Sequence, residues 1–233
     1  LDEYYEMMVD LKLLLNLKQN VVIDKPIVID SAQLDILMQI AHRNNCFIGE
    51  ALNWEHHKQV KYIKDFVKRN KKFNVNVKFT IPIPEENSFR VNNQEGSGVF
   101  WDMNSYLFST LLFFTKERPV LHFSKNIGKN KPQWIKAYLR NTNFKFDGLF
   151  GFGFNYQNKL ELHSESEIII FDRIYTSEPT SPVNIYRITN EKFDNIEVYD
   201  DSFFNYLKKT MNSILNKDHS HSIDKIKEQY KNE

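Results

Sequence analysis

Two glutamates, Glu165 and Glu167, stand two residues apart directly before the apolar run Ile168-Ile169-Ile170-Phe171. On a strand, side chains alternate faces, so carboxylates at i and i+2 point the same way. A carboxylate held at the mouth of a buried strand can orient a sugar hydroxyl and stabilise positive charge developing on a sugar carbon. The plainer reading is a solvated strand start with two exposed acids. Asp147, Glu161, His163 and Glu165 form a second group, on two strand-like segments joined by Asn155-Tyr156-Gln157-Asn158. Carboxylates on adjacent strands can hold Mg²⁺ and activate water. A Mg²⁺-dependent nuclease, with Asp147 and Glu161 as metal ligands, is therefore an alternative activity. Such a core also places a lysine two residues after an acid, whereas here Glu161 is followed by His163 and Glu165 by Glu167. A third reading is a non-enzymatic nucleic-acid or protein binding module. Phe, Tyr and Trp interleaved with Lys and Arg from Lys116 to Phe150 can stack bases and meet phosphates, although aromatics at these spacings also build cores.

The order of a further set of residues resembles the ADP-ribosyltransferases, which place an Arg or His on one strand, a Ser on a second and a Glu before an apolar strand. The matching segments are Ser88-Phe89-Arg90, Leu121-His122-Phe123-Ser124 and Ser164-Glu165-Ser166-Glu167, with Ile185-Tyr186-Arg187-Ile188 as the following apolar strand. The resemblance implies transfer of ADP-ribose from NAD to a macromolecular acceptor, as in toxins or defence proteins. Glu167 would be the main catalytic carboxylate and Glu165 would activate or select the acceptor. Arg90 would hold the dinucleotide phosphates and Ser124 would support the ribose or the glutamate, with His122 grouped beside them at the cofactor. Read by itself, His122 is a hydrogen-bonded core residue of an apolar strand rather than a base.

Around these residues, apolar spacing predicts helices over 2–18, from Asp30 or Ser31 to Asn44, and from Asn53 to Arg69. Between the first two, Val21 to Ile29 is an apolar run broken by Asp24-Lys25-Pro26, more loop or edge strand than helix. Phe73 to Ile83 alternates strictly and predicts a strand that Pro82 and Pro84 either end or place at a sheet edge. Asp102 to Thr115 predicts a buried helix from Asn104, with a strand pair as the alternative, Val120 to Phe123 a short strand, and Lys131 to Arg140 a helix. Phe144 to Phe154 and Lys159 to Phe171 predict a hairpin, with a bulge or close backbone approach at Gly148, Gly151 or Gly153. Two more strands cover 184–189 and 195–199, and Asp201 or Ser202 caps a last helix. The expected class is α+β: a helical region over 1–72 packed on a mainly antiparallel sheet within 73–216, a C-terminal helix, and a polar tail over 217–233.

The 233 residues suffice for one large domain, with 41% hydrophobic and 14% aromatic content to fill a core. The net charge of +1 hides local imbalance. Residues 55–72 carry seven Lys/Arg against two acids, 116–145 eight against one, and 161–201 three against ten. Basic stretches bind phosphates or simply face water, so a nucleic-acid or macromolecular partner is expected, if anywhere, at 116–145. Cys46 is the sole cysteine, which rules out an internal disulfide and favours a cytoplasmic setting. No apolar run reaches the roughly 18 residues of a membrane helix. The chain starts at Leu1 without Met, so the lack of a leader carries no weight.

Overall fold

A computed structural model describes residues 3–88, 90–91, 96–123, 133–219 and 226–227. In chain order the elements are α1 (Glu3–Asn16), β1 (Val21–Ile23), α2 (Ser31–Asn44), β2 (Ile48–Glu50), a 3-10 turn (Trp54–His56), α3 (Val60–Arg69), β3 (Phe73–Ile81) and α4 (Val99–Phe114). They continue with β4 (Val120–Phe123), β5 (Trp134–Arg140), β6 (Phe144–Phe152), β7 (Gln157–His163), β8 (Glu167–Phe171), β9 (Val183–Thr189), β10 (Phe193–Val198) and α5 (Ser202–Leu215). This is the α+β mixture the sequence predicts, with a mainly antiparallel sheet and a C-terminal helix. The contacts divide the chain into two units, 1–52 with 86–115 and 206–233, and 53–85 with 116–205.

In the first unit, Asp30 caps α2 by accepting the Ala32 amide at 2.9 Å, and Asn45 ends the helix in the left-handed conformation. Leu34, Leu37, Met38 and Ala41 of α2 are buried against Met8, Leu11 and Leu15 of α1 and against Val21, Ile23 and Ile48 of the strands. Cys46 belongs to this core. β1 and β2 pair in parallel, Val21 opposite Ile48 and Ile23 opposite Glu50, and α2 is the crossover that parallel pairing demands. Both strands therefore deliver the chain to the same end of the pair.

The second unit is built on an eight-stranded sheet of order β10-β9-β8-β7-β3-β6-β5-β4. All neighbours are antiparallel except β3 and β6. Val75 and Val77 of β3, Phe146 of β6, Leu160 and Leu162 of β7 and Ile169 of β8 turn to the buried face. The alternate positions Asn74, Asn76, Lys78, Lys145, Asp147, Lys159, Glu161 and His163 turn to the other, so the period-2 pattern is a one-faced sheet.

Three expectations are corrected. The hairpin of 144–154 with 159–171 does not form, because β3 inserts between β6 and β7 and takes hydrogen bonds from both. The segment 159–171 is itself two strands, broken where the Ser164 hydroxyl accepts the amides of Ser166 and Glu167 and the Ser164 amide donates to the Glu167 carbonyl. The segment expected as a helix over 131–140 is strand β5 from Trp134, burying Ile135, Ala137 and Leu139 in alternation. Its Lys, Ala, Leu and Arg favour helix intrinsically, and pairing with β4 and β6 overrides them. The helix expected from Asn53 is interrupted: a 3-10 turn at Trp54–His56 precedes α3, and the His57 ring nitrogen Nδ1 accepts the Gln59 amide between them. Among the described residues, no helix is long and apolar enough to cross a membrane.

The expected close backbone approach falls at Gly151, which lies opposite Trp134. A Cβ there would sit 2.5 Å from the Trp134 Cβ and 2.9 Å from the Gln133 carbonyl oxygen. Trp134 is anchored in the neighbouring strand and the Gln133 carbonyl is held by the Phe152 amide at 2.7 Å, so neither can swing aside. Gly151→Ala is expected to cost about 1–3 kcal/mol, read as a lowered midpoint in urea unfolding.

Candidate functional site

Glu167 is buried, and both of its carboxylate oxygens are occupied. Oε1 accepts Nε and Nη2 of Arg69 at 3.1 and 2.8 Å and Nδ2 of Asn70 at 3.0 Å. Oε2 accepts Nε of Arg187 at 2.7 Å. Burial alone would push this carboxyl up, but the hydrogen bonds from Arg69, Asn70 and Arg187 outweigh it and hold the group below its ordinary value of 4.5. Glu165 does not share that face. It is exposed in the β7–β8 turn, outside either strand. The two acids are a structural clamp and a turn residue, and the i, i+2 argument fails because the strand begins only at Glu167.

The other sequence candidates are separated in the same way. Asp147 and Glu161 are not on adjacent strands: each is the register partner of Asn76, one on either side of it. Two strand spacings put their backbones about 9–10 Å apart. Glu161 is paired with Lys159 at 2.9 Å and His163 at 3.1 Å, and Asp147 stands 4.0 Å from Lys136. No group of three His, Cys, Asp or Glu among the described residues is placed to hold a metal. His122 is exposed, its ring stacked on Tyr138 at 5.0 Å and its Nε2 hydrogen-bonded to the Tyr138 hydroxyl. Ser124 lies outside the described residues, as does 125–132 of the basic stretch. Arg90 belongs to the first unit, where its Nε donates to Asp102 Oδ2 at 3.1 Å.

Arg90 leads to a cluster that the sequence reading did not single out. Asp102 sits in the first turn of α4 with its side chain 8% exposed. Lys25, 12% exposed, donates its ammonium to Asp102 Oδ1 at 2.7 Å and also to the Asp102 carbonyl oxygen. Arg90 takes the other carboxylate oxygen, so the buried acid is matched twice. One turn further along α4, the Tyr106 ring lies 5.3 Å from the Lys25 ammonium. Burial pushes the Tyr106 phenol well above its ordinary value of 10.0, and the nearby charges of Asp102, Asp24 and Glu50 add to that shift. The phenol is therefore protonated across the neutral range. Glu50, also buried, accepts the Ile27 amide at 3.2 Å and the Ser105 hydroxyl at 3.1 Å. Topology explains the gathering. Lys25 follows the carboxyl end of β1 by two residues and Glu50 is the last residue of β2, and ligands of parallel sheets bind beyond such ends. One signal was available in the sequence: Asp102 is the single charged residue in the sixteen of α4. Lys25 gave none, since it looked like an interruption of an apolar run.

No protein-family profile and no curated protein matches the chain. Solved structures do. The 3-ketoreductase KijD10 of Actinomadura kijaniata, solved with NADP and TDP-benzene, is 17% identical with a TM-score of 0.87, covering 97% of this chain and 72% of that one. The aldose-aldose oxidoreductase of Caulobacter crescentus is 12% identical with a TM-score of 0.78, covering 100% and 75%. The UDP-N-acetylglucosamine 3-dehydrogenase of Acidithiobacillus ferrooxidans is 13% identical with a TM-score of 0.69, covering 91% and 67%. The fold is thus one found in sugar oxidoreductases. ADP-ribose transfer and the nuclease alternative are both overturned, consistent with a Glu167 whose oxygens are fully taken and with acids split by Asn76.

The clamp at Glu167 has a pH signature. A carboxylate held below 4.5 in the fold contributes stability that is fully present above that value and is lost as pH falls through the folded one. Glu167→Gln is expected to lose about 2 kcal/mol at neutral pH, the scale of charge-assisted hydrogen bonds. It should also show a shallower loss of stability on acidification than the wild type. Urea unfolding at pH 7 and pH 4 measures both.

Proposed function

We propose that this chain carries the carbonyl-handling site of a nicotinamide-dependent oxidoreductase acting on a keto group of a sugar or sugar nucleotide. The observation that carries the reading is the half-buried Lys25 ammonium, held by Asp102 beside the protonated Tyr106 at the carboxyl ends of two parallel strands. The solved neighbours support it. KijD10 binds NADP, and among its solved forms are two with a lysine replaced and one with a tyrosine replaced by phenylalanine.

Reduction of a ketone adds a hydride to carbon and a proton to oxygen. The nicotinamide, when bound, supplies the hydride. This chain's residues serve the oxygen. The Lys25 charge stabilises the negative charge that grows there, and the bond to Asp102 aims that ammonium. The Tyr106 hydroxyl donates the proton and is left as a phenolate to be reprotonated. Oxidation of the alcohol runs the same steps in reverse. A cationic and a neutral donor side by side fit the carbonyl end of such a reaction. The 233 residues contain no G-x-G-x-x-G run, so the reading does not place the pyrophosphate on this chain. NADP is the form KijD10 carries and is the one to try first.

The test is NADPH oxidation with a nucleotide-linked 3-keto sugar, by wild type, Lys25→Ala and Tyr106→Phe. Turnover by the wild type is expected, with kcat lowered 10²–10⁴-fold, the usual scale of lost acid–base help, in each variant. No oxidation by folded wild type, or equal rates in all three, overturns the reading.

A further inference from the structure

We infer that Glu50 is a positioning residue for the Lys25–Tyr106 pair, and this rests on the reading of the site given above. One oxygen of its carboxylate, Oε1, accepts two donors from separate parts of the chain. The Ile27 amide at 3.2 Å lies two residues past Lys25, and the Ser105 hydroxyl at 3.1 Å immediately precedes Tyr106. That single atom ties the turn bearing the lysine to the helix turn bearing the tyrosine. Glu50 is itself fixed by the strand pair: it lies opposite Ile23, and the next amide, of Ala51, donates to the Ile23 carbonyl at 2.7 Å. The Lys25 ammonium is bonded to Asp102, on the same helix as Tyr106. Glu50 closes the loop from the other side, at the backbone after the lysine. The lysine's own link to that helix runs through a flexible four-carbon side chain, which holds geometry less firmly than a bond to the backbone beside it.

Glu50→Gln keeps an oxygen that can accept both donors, and Glu50→Ala removes it. Kinetics of NADPH-dependent keto-sugar reduction should show kcat down on the order of 10²-fold in Glu50→Ala with KM changed little, as expected of a small misplacement of catalytic groups. Glu50→Gln should recover to within about threefold of wild type. A second readout needs no substrate: the slowly exchanging ¹⁵N amine signal of the Lys25 ammonium, assigned by its loss in Lys25→Ala. It should persist in Glu50→Gln and broaden in Glu50→Ala. If the wild type reduces no keto sugar while the amine signal follows this pattern, the oxidoreductase reading fails and the positioning stands. An unchanged signal or unchanged kcat in Glu50→Ala, or an equal kcat loss in both variants, overturns the positioning role. Should Glu50→Ala not fold, Ser105→Ala removes one of the two bonds. It should move the amine signal in the same direction, and no movement overturns the inference.

Discussion

The pairing of Asp102 governs the first unit. A carboxylate in the first turn of an apolar helix gains from the positive end of the helix dipole, but that gain is far smaller than the cost of leaving water. Lys25 and Arg90 make up the difference, one on each oxygen. The second unit solves the same problem at Glu167, with Arg69 and Arg187. The two solutions differ in where the cation sits. Arg69 and Arg187 are 46% and 40% exposed and keep much of their hydration, whereas Lys25 is only 12% exposed. A solvated guanidinium closes a clamp. An ammonium taken out of water, beside a phenol, is a group whose charge can act on something else.

The fold is shared at 12–17% identity with enzymes that handle sugars. Such low identity is enough because the demands on most positions are generic. α2 needs a cap, an apolar stripe and a left-handed terminus, and the sheet needs alternation on one face.

Much of the architecture was readable from local pattern. β3, β4, β9, β10, α1, α2 and α5 follow from the period of their apolar residues and from caps such as Asp30 and Asp201, whose side chain accepts the Phe204 amide at 2.8 Å. What could not be read is what depends on distant partners. β6 and β7 look like a hairpin because nothing near them announces β3. Glu167 looks reactive because the arginines that consume it lie 98 and 20 residues away. Lys25 looks like a break in a strand because Asp102 is 77 residues further on. Periodicity reports on burial, which is local in sequence, and is silent on which charges meet.

The central position of β3 has a consequence for how the chain is made. It ends at Ile81, and its two neighbours, β6 and β7, begin only at Phe144 and Gln157. While a ribosome is still adding those residues, β3 has emerged with both of its edges open, alternating and β-branched. Between its synthesis and the arrival of its partners comes α4, which nucleates from local contacts alone. A strand paired along both edges in the finished sheet thus waits for both partners, and polar residues such as Asn74, Asn76 and Lys78 on its outer face are of the kind that disfavour self-association meanwhile.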